Sequence, residues 1–234
     1  MKKPESQERQ EMPKTETPKP FTTLGYALEK KEPGSVVLVR ITRESIIRVA
    51  LGQAPRLKFS IRTSIAFFDH MIETLAWRAC LNIDASYENT QFRLTHVIAE
   101  DLGIVLGKAF RFLIEENMEQ GINASGSAIA GIDEALAIAA VSFEGRCNTF
   151  IDLTSSPGAQ KERCEDMPSA DLAEFFRGFS QGAGATVSLK LLSGDDPHHS
   201  WEAAFRAFGE ALRTCLGKNT WRAGTTPGVK GTLD

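Results

Sequence analysis

Cysteine and histidine are both scarce in this chain of 234 residues, with four of each. Cys80, Cys147, Cys164 and Cys215 are scattered and form no CxxC pair, so reduced thiols are expected rather than a disulfide framework or a thiolate zinc site. An excess of positive charge is missing too. Lys and Arg total 27 against 30 Asp and Glu, a net charge of −3. Such a balance lacks the basic footprint of a protein whose main partner is nucleic acid. Long apolar runs are absent, because a charge interrupts them every few residues, and no membrane partner is expected. Residues 1–20 open with two lysines but carry no apolar segment behind them, so neither a secretory signal nor an anchor is read there. A cytoplasmic location is the expectation. No G-x-S-x-G elbow, Walker loop or G-x-G-x-x-G after a strand occurs, which leaves the common serine-hydrolase and nucleotide signatures unrepresented.

What remains is 42% hydrophobic and 24% charged, an ordinary composition for a globular chain able to bury a core. Residues 1–20 mix Pro4, Pro13, Pro18 and Pro20 with nine charges, and a disordered tail is expected there. The folded body is expected over 21–234. Strands are read at 35–41, 57–64, 81–87 and 186–192 from β-branched content or alternation. Helices are read at 69–79, 95–116, 170–181 and 198–217. Segment 132–143 is ambiguous, since Ala and Leu favour helix while its alternation favours strand. The glycines of GSAIAG before it are read as a turn.

The most informative feature is an internal repeat. Laying 96–113 over 198–215 pairs His96 with His198 and Glu100 with Glu202. It also pairs Gly107 with Gly209, Ala109 with Ala211, and Arg111 with Arg213. These are five identities in eighteen positions, where chance gives roughly one. Two repeats, at about 35–125 and 126–220 with a C-terminal tail, are therefore expected. Each would be an α+β half-domain, a small and mostly antiparallel sheet with helices on one face.

All four histidines, His70, His96, His198 and His199, sit in short acid-containing motifs. His96 and Glu100, like His198 and Glu202, are four residues apart. On a helix this spacing stacks imidazole and carboxylate about 6 Å apart on one face, where both can reach one ion. A single H-x-x-x-E is more often a surface pair; its repetition is what points to metal. Such ligands suit Mn, Fe or Zn without thiolate. Glu44 ends a strand, while Arg146 and Lys230 stand beside glycines where each could meet an anion.

The segments RITRESII, IAFFDHM, HVIAEDLGIVLGKA, GIDEAL, FEGR, DDPHHSWEAAFRAFGEALR and GVKG resemble, in order and spacing, the imidazoleglycerol-phosphate dehydratase family. The likeness runs from about Val37 to Leu233. It implies a duplicated α+β half-domain of the ribosomal protein S5 domain 2-like kind and a large homo-oligomer built from trimers. It also implies active sites between subunits with two Mn(II) ions, and a small imidazole-phosphate substrate that loses water. By resemblance, one metal would use His70, His198 and Glu202 and the other His96, Glu100 and His199. Glu44 would contact substrate, and Arg146 and Lys230 would hold its phosphate. Val97 and Ser188 stand where the family carries histidines, and Ala124 where it carries arginine. Gly228 and Val229 replace its Ser-Thr. A dehydratase of histidine biosynthesis, a paralogue acting on another azole, and a non-catalytic member that keeps only the assembly all remain open at this point.

Overall fold

A computed structural model describes residues 23–89 and 92–233; the expected tail at 1–20 lies outside them. The chain runs β1 (Gly25–Glu32), β2 (Ser35–Ile41), β3 (Ser45–Gly52), β4 (Ser60–Arg62), α1 (Ala66–Ala79), β5 (Asn82–Asn89) and α2 (Thr95–Asn117). It continues through β6 (Ser125–Ile132), β7 (Ala135–Ser142), β8 (Asn148–Asp152), β9 (Arg163–Cys164), β10 (Met167–Pro168), α3 (Ser169–Ala183), β11 (Thr186–Ser193) and α4 (Pro197–Cys215). A short 3-10 turn covers Thr220–Arg222. Among the described residues no helix is long and apolar enough to cross a membrane.

The strand orders are β1-β2-β3-β5-β4 and β6-β7-β11-β8. Set aside β1, and the two sheets have the same plan. β2/β3 and β3/β5 are antiparallel while β4/β5 is parallel, and β6/β7, β7/β11 and β8/β11 repeat that pattern. The order of helices repeats as well, with α1 and α3 preceding the penultimate elements and α2 and α4 closing each half. This is the duplicated α+β arrangement read from the sequence.

Segment 132–143 resolves into the end of β6, a turn and β7. Ala135, Ala137, Ala139 and Val141 are buried and Leu136 and Ala140 exposed, so alternation prevails over helix propensity because neighbours pair on both sides. GSAIAG is strand β6, not a turn. A Cβ at Gly126 would lie 2.4 Å from the Ala211 carbonyl oxygen, so glycine there admits α4 close to the strand. Of the strand expected at 57–64 only Ser60–Arg62 pairs, at the sheet's edge. Strands β1, β3 and β8 were not read from the sequence; charges in GYALEKKE mask the first, whose Lys31 reaches Glu115 of α2.

The core is aromatic where α3 and α4 meet: Phe175 stacks on Phe205 with centroids 5.2 Å apart, and Phe208 meets Phe176 edge-on at 5.1 Å. Helices α2 and α3 cross backbone to backbone. Gly103 and Gly107 of α2 face Phe175 and Phe179, and Gly178 and Gly182 of α3 face Glu100 and Ile104. A Cβ at Gly182 would lie 1.9 Å from the Ile104 carbonyl oxygen, a contact that neither rigid helix can relieve. Gly182→Ala is therefore expected to lower unfolding free energy by about 3 kcal/mol in urea denaturation. A change under about 0.5 kcal/mol would contradict this packing.

Candidate metal centre

Helix α4 starts in a well-defined way. Asp196 is its N-cap, accepting a hydrogen bond from the His199 amide at 3.1 Å, and Pro197 occupies the first turn. This fixes where His198 and His199 leave the helix. One turn on, Glu202 is buried at 6% exposure. The neighbouring α1 brings in His70 from the other half of the chain.

His70 Nε2 and His198 Nε2 each stand 3.4 Å from Glu202 Oε2. The other carboxylate oxygen is held by Arg206, at 2.9 Å from Nε and 2.6 Å from Nη2, and Arg206 is itself fixed to the Gly131 carbonyl. Burial pushes the Glu202 carboxyl up, but Arg206 and His70 outweigh it and hold the acid below its ordinary value. The ligand-type atoms of His70, His198 and Glu202 all lie within 4.8 Å of one another. Two ligands at about 2.1 Å from one ion are about 3.4 Å apart at a tetrahedral angle, so the spacing suits a shared cation with open positions. Beside the triad lies a pocket of about 280 Å³ walled by Phe59, Thr74, Trp77 and Arg78.

The other expected set is not gathered within one chain. His96 Nε2 lies 3.5 Å from Glu100 and its Nδ1 3.6 Å from Asp171 of α3. His199 instead turns to the β6–β7 turn, with Nδ1 2.8 Å from Glu134 and Nε2 3.4 Å from Asp133. The duplication shows a further difference between the two sets. Gly209 of α4 faces the Leu75 carbonyl and Ala79 amide of α1 just as Gly107 of α2 faces those of Phe179 and Ala183 of α3. These partners are 104 residues apart, so the counterpart of His70 is Glu174, an acid already paired with Arg177. The second half-site therefore lacks its inter-half imidazole.

Glu44 sits in the exposed β2–β3 turn, its amide donating to Thr42 Oγ1, and it is not among the residues lining the triad's pocket. Arg146 and Lys230 are both exposed, on the β7–β8 loop and the C-terminal tail. Those two segments approach each other where Gly228 lies against the Glu144 side chain. Ala124 is fully buried at φ +54°, and Ser188 lies on the sheet face opposite the buried Val187 and Leu189. Val97 is half-buried on α2. The four cysteines are free, and burial pushes Cys164 and Cys215 up to about 12, which leaves both inert. Sequence reasoning missed Arg206, Glu165 and Asp171, the last two of which act through tertiary contacts. For Arg206 the i, i+4 spacing from Glu202 was an available signal.

The Glu134 carboxyl is pulled down to about 2, first by the Asp196 backbone N–H and then by His199. The Glu134 hydrogen bond in turn raises His199 above its ordinary 6.5. Stabilisation from a raised histidine is complete below 6.5 and is lost as pH climbs through its folded value. That from a depressed acid is present above 4.5 and is lost as pH falls toward about 2. The pair is thus strongest in mild acid, between those two ordinary values. In the metal-free protein, NMR titration of His199 is expected to give a midpoint above 6.5, brought down by Glu134→Gln. A midpoint indifferent to that substitution would contradict the pairing.

Fold and site together define a duplicated α+β protein with an imidazole–carboxylate triad built between its halves. The family model described as imidazoleglycerol-phosphate dehydratase matches residues 63–212. The imidazoleglycerol-phosphate dehydratase of Koribacter versatilis is 35% identical over 196 residues, covering 84% of this chain and 97% of the relative. That of Methylococcus capsulatus is 32% identical over 194 residues, covering 83% and 95%. The Pyrococcus furiosus enzyme, crystallised with (S)-C348, superposes with a TM-score of 0.68 at 30% identity over 82% of this chain and 98% of that one. The Staphylococcus aureus dehydratase gives 0.65 at 25% identity over 74% and 95%. The chain belongs to the imidazoleglycerol-phosphate dehydratase family.

Proposed function

We propose that this chain is a metal-dependent hydro-lyase that removes water from a glycerol phosphate attached to an imidazole ring. Its place would be histidine biosynthesis, as the names of its relatives indicate. The observation that carries this reading is the triad of His70, His198 and Glu202. Its donors, two imidazoles and a carboxylate held ionised by Arg206, have the character that Mn(II) accepts, with Fe or Zn as alternatives. A bound divalent cation supplies Lewis acidity toward the azole, which matters because no carbonyl acidifies the carbon-bound proton to be removed.

The chain's own groups divide the remaining work. His70, His198 and Glu202 hold one cation; His96 and Glu100 hold the second, completed by His199 from another copy in a trimer-based homo-oligomer. His199 standing apart from His96 and Glu100 in one chain supports that completion across a subunit boundary. Glu44, exposed on its turn, is the carboxylate available to accept the carbon-bound proton and, once protonated, to return it to the departing hydroxyl, so that water is what leaves. Arg146 and Lys230, on segments that touch near Gly228, take the phosphate. With Mn(II) supplied, purified protein is expected to turn over imidazoleglycerol phosphate. His198→Ala is expected to cost more than the roughly 10–100-fold typical of an outer-shell change. Absence of turnover with Mn, Fe and Zn, or a His198→Ala enzyme as active as the parent, would contradict the reading. Buried, uncharged Ala124 favours a second reading, a related azole without phosphate. Equal competition by the dephosphorylated compound would favour it.

A further inference from the structure

We infer that the turn joining β9 to β10 is a positioning device for the triad: Glu165 sets the ring of His198, and Asp166 sets the helix that carries His70. The inference rests on the reading of His70, His198 and Glu202 as metal ligands. Neither acid belongs to that set, and neither is near it in sequence.

His198 lies between two carboxylates. Its Nε2 faces Glu202 Oε2 at 3.4 Å, and its Nδ1 faces Glu165 Oε1 at 3.1 Å. A neutral imidazole carries one proton, and the nitrogen that carries it cannot ligate. Glu202 alone would draw that proton to Nε2, the atom needed for metal. Glu165 draws it to Nδ1 and leaves the Nε2 lone pair aimed into the triad. Phe67 meets the same ring edge-on at a centroid distance of 5.1 Å and limits its rotation.

Asp166 acts on the other helix. Ile65, the N-cap of α1, offers no side-chain bond to the exposed amides of the first turn. Asp166 supplies two from the other half of the chain, accepting from the Ala66 amide at 2.8 Å and the Phe67 amide at 3.2 Å. His70 follows within the next turn. Two adjacent residues thereby tie α1 and α4 to one point. Glu165 takes φ +50°, a left-handed conformation that glycine would adopt without strain. The side chain that occupies this costly position is the one that touches His198.

That conformation makes the test sharp. Glu165→Gly suits the backbone, so its melting temperature is expected to equal or exceed that of the parent. Its Mn(II) affinity, read from the free-ion EPR signal, is expected to fall about 10–100-fold. In metal-free protein, nitrogen-15 NMR should show the His198 proton moving from Nδ1 toward Nε2. Glu165→Gln bonds to either tautomer, so it keeps the contact but loses the preference, and it should also bind Mn(II) more weakly. Parental affinity and tautomer in Glu165→Gly would overturn the inference; full restoration by Gln would reduce Glu165 to a structural contact and overturn it too. Should the parent itself bind no metal, the ligand reading falls, while the NMR comparison still decides whether Glu165 sets the tautomer.

Discussion

The site depends on the close approach of α1 and α4 at Gly209. A Cβ there would lie 2.7 Å from the Leu75 carbonyl oxygen and 2.8 Å from the Arg78 Cβ, so any side chain would push the helices apart. At the observed separation His70, from the first half, reaches the buried carboxylate of Glu202, from the second. Arg206 balances that carboxylate on its other side, which lets it remain charged although buried. The meeting of two imidazoles and one carboxylate in this molecule is therefore a consequence first of interhelical distance.

Duplication supplies the approach twice and the chemistry once. Gly107 allows α2 onto α3 just as Gly209 allows α4 onto α1. Each closing helix also carries a histidine and a glutamate four residues apart. Only the first helix of the first half offers an imidazole to its partner; the other offers Glu174, tied to Arg177. One half-site closes within the chain, and its twin presents His96 and Glu100 at the surface.

Much of this was legible in the sequence, for identifiable reasons. The four helices appear because their apolar faces recur at helical spacing, and the paired His-x-x-x-Glu motifs appear because a helix converts spacing into proximity. Glycine-bearing β6 was hidden because Gly126 serves a close helix contact, which looks like a turn in one dimension. The β9–β10 turn was hidden because two-residue strands leave no pattern, and its acids matter only through contacts with α1 and α4. That His70 joins His198 and not His96 came from the family resemblance; no local spacing contains it. Physical reading of residues reached the candidate side chains, and tertiary structure was needed to say which of them meet.

Anomalous diffraction from Mn(II)-loaded crystals is the most direct measurement of the central claim. A manganese peak coordinated by His70 Nε2, His198 Nε2 and Glu202 Oε2 of a single chain is the expected result. Strong anomalous density elsewhere, with these three side chains bare and Glu202 engaged by Arg206 alone, would contradict it.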